Sequence, residues 1–83
     1  MSVEYLTDAW AHGPDDPGDL LLLLAITDRV DHHGVCRTPM RDLARWARMD
    51  EGHVPAALDR LSDAGWLVAQ DGHVRVFKSE DGQ

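Results

Sequence analysis

Three side chains of metal-binding type lie close together in this sequence, at His32, His33 and Cys36. Zinc sites use imidazole nitrogen and thiolate sulfur, and a structural site needs four such ligands arranged as a tetrahedron. Adjacent histidines point in divergent directions, however, and no second cysteine or further ligand stands at a suitable spacing. We therefore predict no metal site, and no cofactor is indicated.

Signatures of catalysis are a second kind of chemistry that residue spacing can indicate. The sequence has no nucleophile elbow, no glycine-rich phosphate loop and no His-Glu-x-x-His motif. It also places no pair of carboxylates on elements that would face each other. We therefore predict that the protein is not an enzyme.

A set of cationic side chains has the chemistry needed to bind phosphate groups. Its members are Arg37, Arg41, Arg45, Arg48, Arg75 and Lys78. Because Arg41, Arg45 and Arg48 are spaced by four and three residues, they line one face of a helix. Such a face either contacts phosphates, which would select sequence only weakly, or is solvated and partly paired with Asp42. Both alternatives stay open from the residues alone.

The overall charge opposes a polyanionic partner, but its distribution along the chain is uneven. The 83 residues carry a net charge of −7, whereas nucleic-acid binding draws on clustered Lys and Arg. Residues 1–31 hold seven acids against Arg29 alone, a net charge of −6, and residues 32–78 carry +1. The acidity therefore lies mostly in the first third of the chain.

Length and cysteine content predict one domain in a reducing compartment. A chain of 83 residues that is 43% hydrophobic can close a single small core. The lone Cys36 leaves no internal disulfide. Residues 20–26 form the longest apolar run, which is shorter than the roughly 20 residues of a membrane helix and is preceded by acids. We expect a cytoplasmic protein without a membrane anchor.

The chain divides into a predicted N-terminal arm or short helix, a main domain and a flexible tail, at residues 1–16, 17–78 and 79–83. Asp16 and Pro17 are a cap and first-turn pair that starts a helix. We predict that this helix runs to about Val30 and that Gly34 closes it in the left-handed conformation. A short extended stretch follows at residues 35–37.

The same start signal recurs at Thr38 and Pro39, where Thr38 is predicted to cap a second helix ending near Arg48. The third predicted helix carries apolar residues at three- and four-residue spacing, which indicates a buried face. That face comprises Val54, Ala57, Leu58, Leu61 and Ala64.

Asp71-Gly72 between two alternating segments is a strong hairpin signal. In a two-residue turn Gln70 opposes His73, which places Leu67, Ala69, Val74 and Val76 on the inner face. The predicted fold class is mainly α, of α+β type, with a three-helix core and a C-terminal β-hairpin.

Residues 43–58 align without gaps to a helix-turn-helix pattern. Ala44 lets two helices approach, Met49 fills the turn, and Val54 and Leu58 anchor the next helix inside. With the hairpin after it, the chain over residues 17–77 resembles the winged helix-turn-helix family. The resemblance is to MarR-like regulators and to winged-helix domains of actinobacterial phage and plasmid replication or regulatory proteins.

The resemblance implies a third helix in the major groove of DNA and a wing along the backbone, although some winged helices bind only proteins. It places the six cationic residues on phosphates, with His53 and Ala56 near the groove. At the positions that would face DNA, the residue types differ from those usual in the family. These positions hold Glu51, Gly52, His53, Pro55, Ala56 and Asp59. Only His53 offers a donor, and two acids would repel phosphates.

Pro55 constrains where the third helix begins. If Asp50 caps that helix, Pro55 falls at the fifth helical position and costs roughly 3 kcal/mol. If Gly52 caps it, no amide partner is lost, so we predict a regular helix beginning near His53. Arg48 stands where the family has a glycine of positive φ, a departure of about 1 kcal/mol.

Five leucines at residues 20–24 point all round the first helix, so part of its surface needs a cover. Either the N-terminal segment folds back over it, or a partner chain or second copy packs there. The predicted interface residues are Tyr5, Leu6, Trp10, Leu20 and Leu21. Trp46 and Trp66 are predicted in or near the core, and an exposed Trp46 would mark a contact surface.

Two functions follow as hypotheses. The first is a DNA-binding transcriptional or replication regulator, which we expect to be dimeric. The second is a winged helix that serves as a protein-interaction module, an adaptor or inhibitor of phage or mobile-element type, with little or no DNA binding. In that case the acidic first third would meet a basic protein partner.

Overall fold

A computed structural model describes residues 3–77 of the chain. Within that range it has four α-helices and a three-stranded antiparallel sheet, an α+β arrangement. The helices are α1 (Val3–His12), α2 (Pro17–Thr27), α3 (Met40–Ala47) and α4 (Val54–Asp63), and a 3-10 turn at Glu51–His53 precedes α4. The strands are β1 (Val35–Cys36), β2 (Leu67–Gln70) and β3 (His73–Val76). The predictions for Lys78 and for the tail at 79–83 lie outside the described residues.

The start of α2 is as predicted, but its end is not. The Asp16 carboxylate accepts a hydrogen bond from the Asp19 amide at 2.9 Å, and Pro17 is the first helical residue. The helix ends at Thr27, three residues before Val30. Beyond it, the Asp31 carboxylate accepts hydrogen bonds from the amides of His33 and Val35, at 2.8 and 3.1 Å. This local turn competes with further helix.

Gly34 adopts the predicted positive φ of 81°. It lies in the turn before β1 rather than at the end of α2, since its amide donates to the Asp31 carbonyl at 3.0 Å. The carbonyl of Gly34 in turn accepts from the Val76 amide at 2.7 Å. The glycine therefore joins the turn to the sheet.

The N-terminal segment is a helix that covers part of α2. Ala9 of α1 is fully buried, and Tyr5 packs against the core. None of the helices in the described range is long and apolar enough to cross a membrane.

Helix α3 begins one residue later than its cap signal predicts. Pro39, not Thr38, occupies the cap position, and its carbonyl accepts from the amides of Asp42 and Leu43 at 3.0 and 3.1 Å. The helix ends at Ala47, where Arg48 adopts the left-handed conformation at φ 60°. The predicted positive φ is thus confirmed at a residue with a large side chain.

The start of α4 avoids a clash at its proline. Pro55 is at the second helical position, where the amide would have no helical partner. The cap position belongs to His53 rather than Gly52, because the 3-10 turn supplies the preceding residues. Asp50 precedes that turn without making a side-chain capping bond.

The buried face of α4 is one residue shorter than predicted. Val54, Ala57, Leu58 and Leu61 are buried, as expected. Ala64 is exposed because it lies past the last helical residue, and Gly65 then takes a φ of 88°.

The hairpin has the predicted register, with Gln70 opposite His73 and Leu67 opposite Val76. Strand β3 also pairs with β1, so the sheet order is β1-β3-β2, which the sequence pattern does not predict. Ala69 shares the inner face with Val74, its partner in the register, as predicted, but it is exposed because it lies near the turn. The core is formed by residues of α2, α3, α4 and the sheet, among them Leu22, Leu23, Ile26, Leu43, Leu61, Leu67 and Val76.

Candidate nucleic-acid interface

The five arginines of the predicted phosphate-binding set that the structure describes are all exposed. These are Arg37, Arg41, Arg45, Arg48 and Arg75. Within residues 3–77, ion pairs join Arg29 to Asp28 and Arg60 to Asp19, and none involves the five. Asp42 therefore forms no ion pair with this face in residues 3–77, and phosphate contact and a solvated face both stay open. The sixth member, Lys78, lies outside the described range.

Helix α3 directs three of these arginines away from the core. Its buried face is formed by Leu43, Ala44 and Ala47. Arg41 and Arg45 are one helical turn apart on the exposed side. Arg48 follows as the left-handed residue that ends the helix.

The other two arginines belong to the sheet region, Arg75 within β3 and Arg37 directly after β1. Val35 pairs with Arg75 across β1 and β3, so their side chains project from the same face. Arg37 directly follows β1 and lines a surface groove with Met40, at the start of α3. It therefore lies between the sheet and α3.

The outward face of α4 is poor in groups that could hydrogen-bond a base edge or a phosphate. Its first exposed positions are Glu51, Gly52, His53, Pro55, Ala56 and Asp59. His53 and Ala56 are exposed as the interface prediction requires, but acids stand on both sides of them in the chain. The concave surface beside this helix start is also lined by Asp16 and Asp19. A phosphate there would meet more negative than positive charge.

Arg60 is the cation of α4, and it is bound to Asp19, a pairing that the sequence analysis missed. Its Nε and Nη2 donate to the Asp19 carboxylate at 2.9 and 2.8 Å. Asp19 is only 5% exposed. These hydrogen bonds lower the pKa of Asp19 against the raising effect of burial, and they raise the pKa of Arg60. Arg60 therefore fastens α4 to α2.

No local rule indicates this pair, because its members are 41 residues apart. Asp19 has an obvious alternative role as an acid in the first turn of α2, where the helix dipole favours it. The only hint is an acid placed in the otherwise apolar α2, where a buried charge requires a partner.

The predicted partner interface on α1 and α2 is partly covered. Tyr5, Leu6 and Leu20 are half-buried, whereas Leu21 is 44% and Trp10 is 65% exposed. The N-terminal helix therefore covers part of this surface and leaves Leu21 and Trp10 exposed.

Trp46 is 57% exposed, so the prediction that it lies in or near the core is wrong. The Arg29 guanidinium carbon lies 4.6 Å from the centre of its ring, a cation–π contact that replaces core packing. Trp66 is half-buried and packs against the core, as predicted.

The three residues considered for metal binding differ in their burial. Cys36 is 1% exposed within β1, whereas His32 and His33 are exposed in the preceding turn with ring centres 4.0 Å apart. Among residues 3–77, no three His, Cys, Asp or Glu side chains are grouped so that they could hold a metal ion.

Comparisons with known proteins do not identify a family for this chain. No family model matches it, and neither does any curated protein or solved structure. The resemblance over residues 17–77 therefore stays a prediction, and function has to be argued from the exposed arginines and the geometry around them.

Proposed function

We propose that this protein is a winged helix-turn-helix domain that binds double-stranded DNA through its phosphates and acts as a transcriptional or replication regulator. The order of α2, β1, α3, α4 and the β2–β3 hairpin supports the fold assignment. The observation that carries the function is a set of five exposed arginines, two on α3, one that ends it, one on β3 and one directly after β1. None of the five is paired with an acid of residues 3–77.

Unpaired guanidinium groups fit phosphate oxygens because their fork of donors binds anions in a bidentate manner. In this proposal Arg41, Arg45 and Arg48 contact one stretch of DNA backbone, while Arg37 and Arg75 contact another. Each phosphate that an arginine neutralises releases condensed counterions, which supplies affinity without reading sequence.

Sequence selection is expected to be weak. His53 and Ala56 are the groups of α4 that would approach base edges, and only His53 can donate a hydrogen bond. Glu51 and Asp59 flank them and repel the backbone. The net charge of −7 further limits affinity at physiological salt because like charges on protein and DNA repel at long range.

The test is fluorescence anisotropy with a labelled random-sequence duplex. If five phosphates are contacted, the slope of log affinity against log salt should be about −4.5, so a fourfold rise in salt weakens binding a few hundredfold. The double variant Arg45→Glu with Arg75→Glu should abolish binding while the circular dichroism spectrum is unchanged.

A control variant must change the net charge by the same amount as the double variant without altering any of the five arginines. Thr7→Glu, Ala11→Glu and Arg29→Glu combined make the same change at exposed positions of α1 and just after α2. It should retain most of the affinity. Absence of binding by the wild-type protein at low salt, or equal loss in the two variants, would disprove the proposal.

The alternative function, a protein-interaction module, is favoured by a different observation. Trp10 and Trp46 are both more than half exposed, and aromatic side chains dominate the energetics of protein interfaces. Under this alternative the domain would bind DNA weakly or not at all, so the anisotropy measurement separates the two functions.

A further inference from the structure

A surface groove lies between the start of α3 and the turn end of the β2–β3 hairpin. Apolar side chains of α3, α4 and the hairpin form most of its lining, namely Met40, Leu43, Leu58, Ala69 and Val74. Its volume is about 270 Å³. Pockets for drug-sized ligands measure about 300–1,000 Å³, so this groove matches a smaller ligand.

The groove is open because the inner face of the hairpin extends beyond the part that the helices cover. Ala69 and Val74 are opposite each other in the register and share that face. Val74 is only 8% exposed, whereas Ala69, beside the turn, is exposed. The small side chain at position 69 leaves a space that a leucine would fill. A ligand with an apolar body would remove this surface from water, which is favourable.

Arg37 carries the only formal charge among the side chains of residues 3–77 that line the groove. Within that range its guanidinium takes part in no hydrogen bond or ion pair. The acids nearest in the chain, Asp42 and Asp71, do not line the groove. The net charge of −7 acts from farther away, where salt screens it beyond about 10 Å. The charge inside the groove therefore favours an anionic ligand.

We propose that this groove binds a small monocarboxylate with an apolar body, about ten non-hydrogen atoms in all. The carboxylate pairs with the Arg37 guanidinium, which can donate two parallel hydrogen bonds to it. The apolar body lies on Leu43, Leu58 and Val74. The ring nitrogens of His73 already lie 2.8 Å from the Gln70 side-chain oxygen and 3.0 Å from the Asp71 carbonyl. Arg37 is therefore the group that orients the ligand.

Other anionic occupants use only part of the groove. A phosphate of DNA would pair with Arg37, but it has no apolar body to cover the floor. The side chain of a glutamate on a partner protein reaches the cation through two methylene groups only. A free acid with a ring or a branched chain satisfies both the cation and the apolar lining, so the observations favour this class of ligand.

The probe is cyclohexylacetate, titrated into the full chain without DNA and followed in two-dimensional amide NMR spectra. Cyclohexylacetamide has the same apolar body without the charge, and acetate has the charge without the body. Arg37→Gln removes the cation, and Ala69→Leu fills the groove. Arg45→Gln is the matched control, because Arg45 is an exposed arginine that does not line the groove.

We expect saturable shifts of the amides of residues 37–43 and 69–74, with a dissociation constant of about 1 mM or below. The amide and acetate should each bind at least about fivefold more weakly, because each lacks one of the two components. Arg37→Gln and Ala69→Leu should weaken binding by a similar factor, and Arg45→Gln should leave it unchanged.

The same spectra check that each variant is folded. Arg37 is exposed and lies outside the helices and strands, so Arg37→Gln keeps the test available if Ala69→Leu does not fold.

The inference would be overturned by the absence of saturable shifts at about 10 mM cyclohexylacetate or by shifts confined to residues outside the groove. Equal affinity for cyclohexylacetate and either of its two analogues would also overturn it, as would equal effects of Arg37→Gln and Arg45→Gln. Arg37 also belongs to the proposed DNA surface, but the titration contains no DNA. Failure of this inference is therefore distinguishable from failure of the proposed function.

Discussion

Arg60 of α4 and Asp19 of α2 form an ion pair with two hydrogen bonds, of 2.9 and 2.8 Å. The two partners are unequally buried, since the side chain of Asp19 is 7% and that of Arg60 59% exposed. Removal of the arginine would leave a carboxylate out of water without its cation, which costs more than the loss of an exposed pair. The pair therefore fixes the position of α4 against α2.

Arg60→Met should lower the thermal midpoint of unfolding by about 5 °C or more, because a buried acid loses its partner. Arg60→Lys should lie between this variant and the wild type, since an ammonium group cannot reproduce the two-bond fork. Arg45→Met is the matched control at an unpaired, exposed arginine and should have little effect. Equal midpoints for Arg60→Met and Arg45→Met would show that the pair does not stabilise the fold.

The same pair makes stability depend on pH. The pKa of Asp19 is lowered by its hydrogen bonds to Arg60, so its contribution is fully present above the unfolded pKa of about 3.9 and is lost as the pH falls through the folded value. The difference in free energy of unfolding between wild type and Asp19→Asn should therefore shrink below about pH 4. Urea unfolding at several pH values measures it.

Asp31 has the same sign of pH dependence from another cause. Its carboxylate accepts from the amides of Val35 and His33, and these hydrogen bonds lower its pKa. Below about pH 4, the free energy of unfolding of the double variant Asp19→Asn with Asp31→Asn should therefore depend less on pH than that of either single variant. If the difference in free energy of unfolding between wild type and Asp19→Asn stayed constant down to about pH 2.5, the pH dependence could not be assigned to Asp19.

Arg48→Gly should raise the free energy of unfolding by about 0.5–1 kcal/mol, because glycine adopts a positive φ without the steric cost of a side chain. Gly65 provides the opposite test at φ 88°, with no atom within 4 Å of an added Cβ. Gly65→Ala should therefore destabilise by about 1 kcal/mol through the backbone alone. If Arg48 contacts a phosphate, Arg48→Gly should also reduce the salt slope of DNA binding by about 0.9.

Asp59→Arg should strengthen DNA binding, because it exchanges a repelling carboxylate for a phosphate ligand on the outward face of α4. The expected gain is about tenfold at low salt. Asp15→Arg makes the same charge change at an exposed residue between α1 and α2, and it should produce a smaller gain. Equal gains would mean that α4 does not face DNA.

Elements specified by neighbouring residues were predictable from the sequence. Asp16 and Pro17 start α2, and Asp71-Gly72 fixes the register of the hairpin, because each signal acts over a few residues. The left-handed Arg48 was also predictable from its place in the helix-turn-helix pattern.

Features that depend on distant contacts were not predictable. The pairing of β1 with β3 joins residues about 40 positions apart, and β1 is only two residues long, too short for a pattern. The end of α2 at Thr27 was not predicted either, and the turn that follows is held by hydrogen bonds from the amides of His33 and Val35 to the Asp31 side chain. Trp46 lies outside the core beside Arg29, which no periodicity on α3 indicates. The five arginines were recognised as candidates, but their lack of acidic partners is a property of the folded chain.

Because Cys36 is buried in the two-residue strand β1, the reactivity of its thiol reports on local opening of this strand. A thiol that is 1% exposed reacts with an aromatic disulfide reagent only while the strand is detached from β3, so the rate of its modification follows the frequency of that detachment. Because Arg37 comes directly after this cysteine, DNA that holds the arginine in place should slow the reaction.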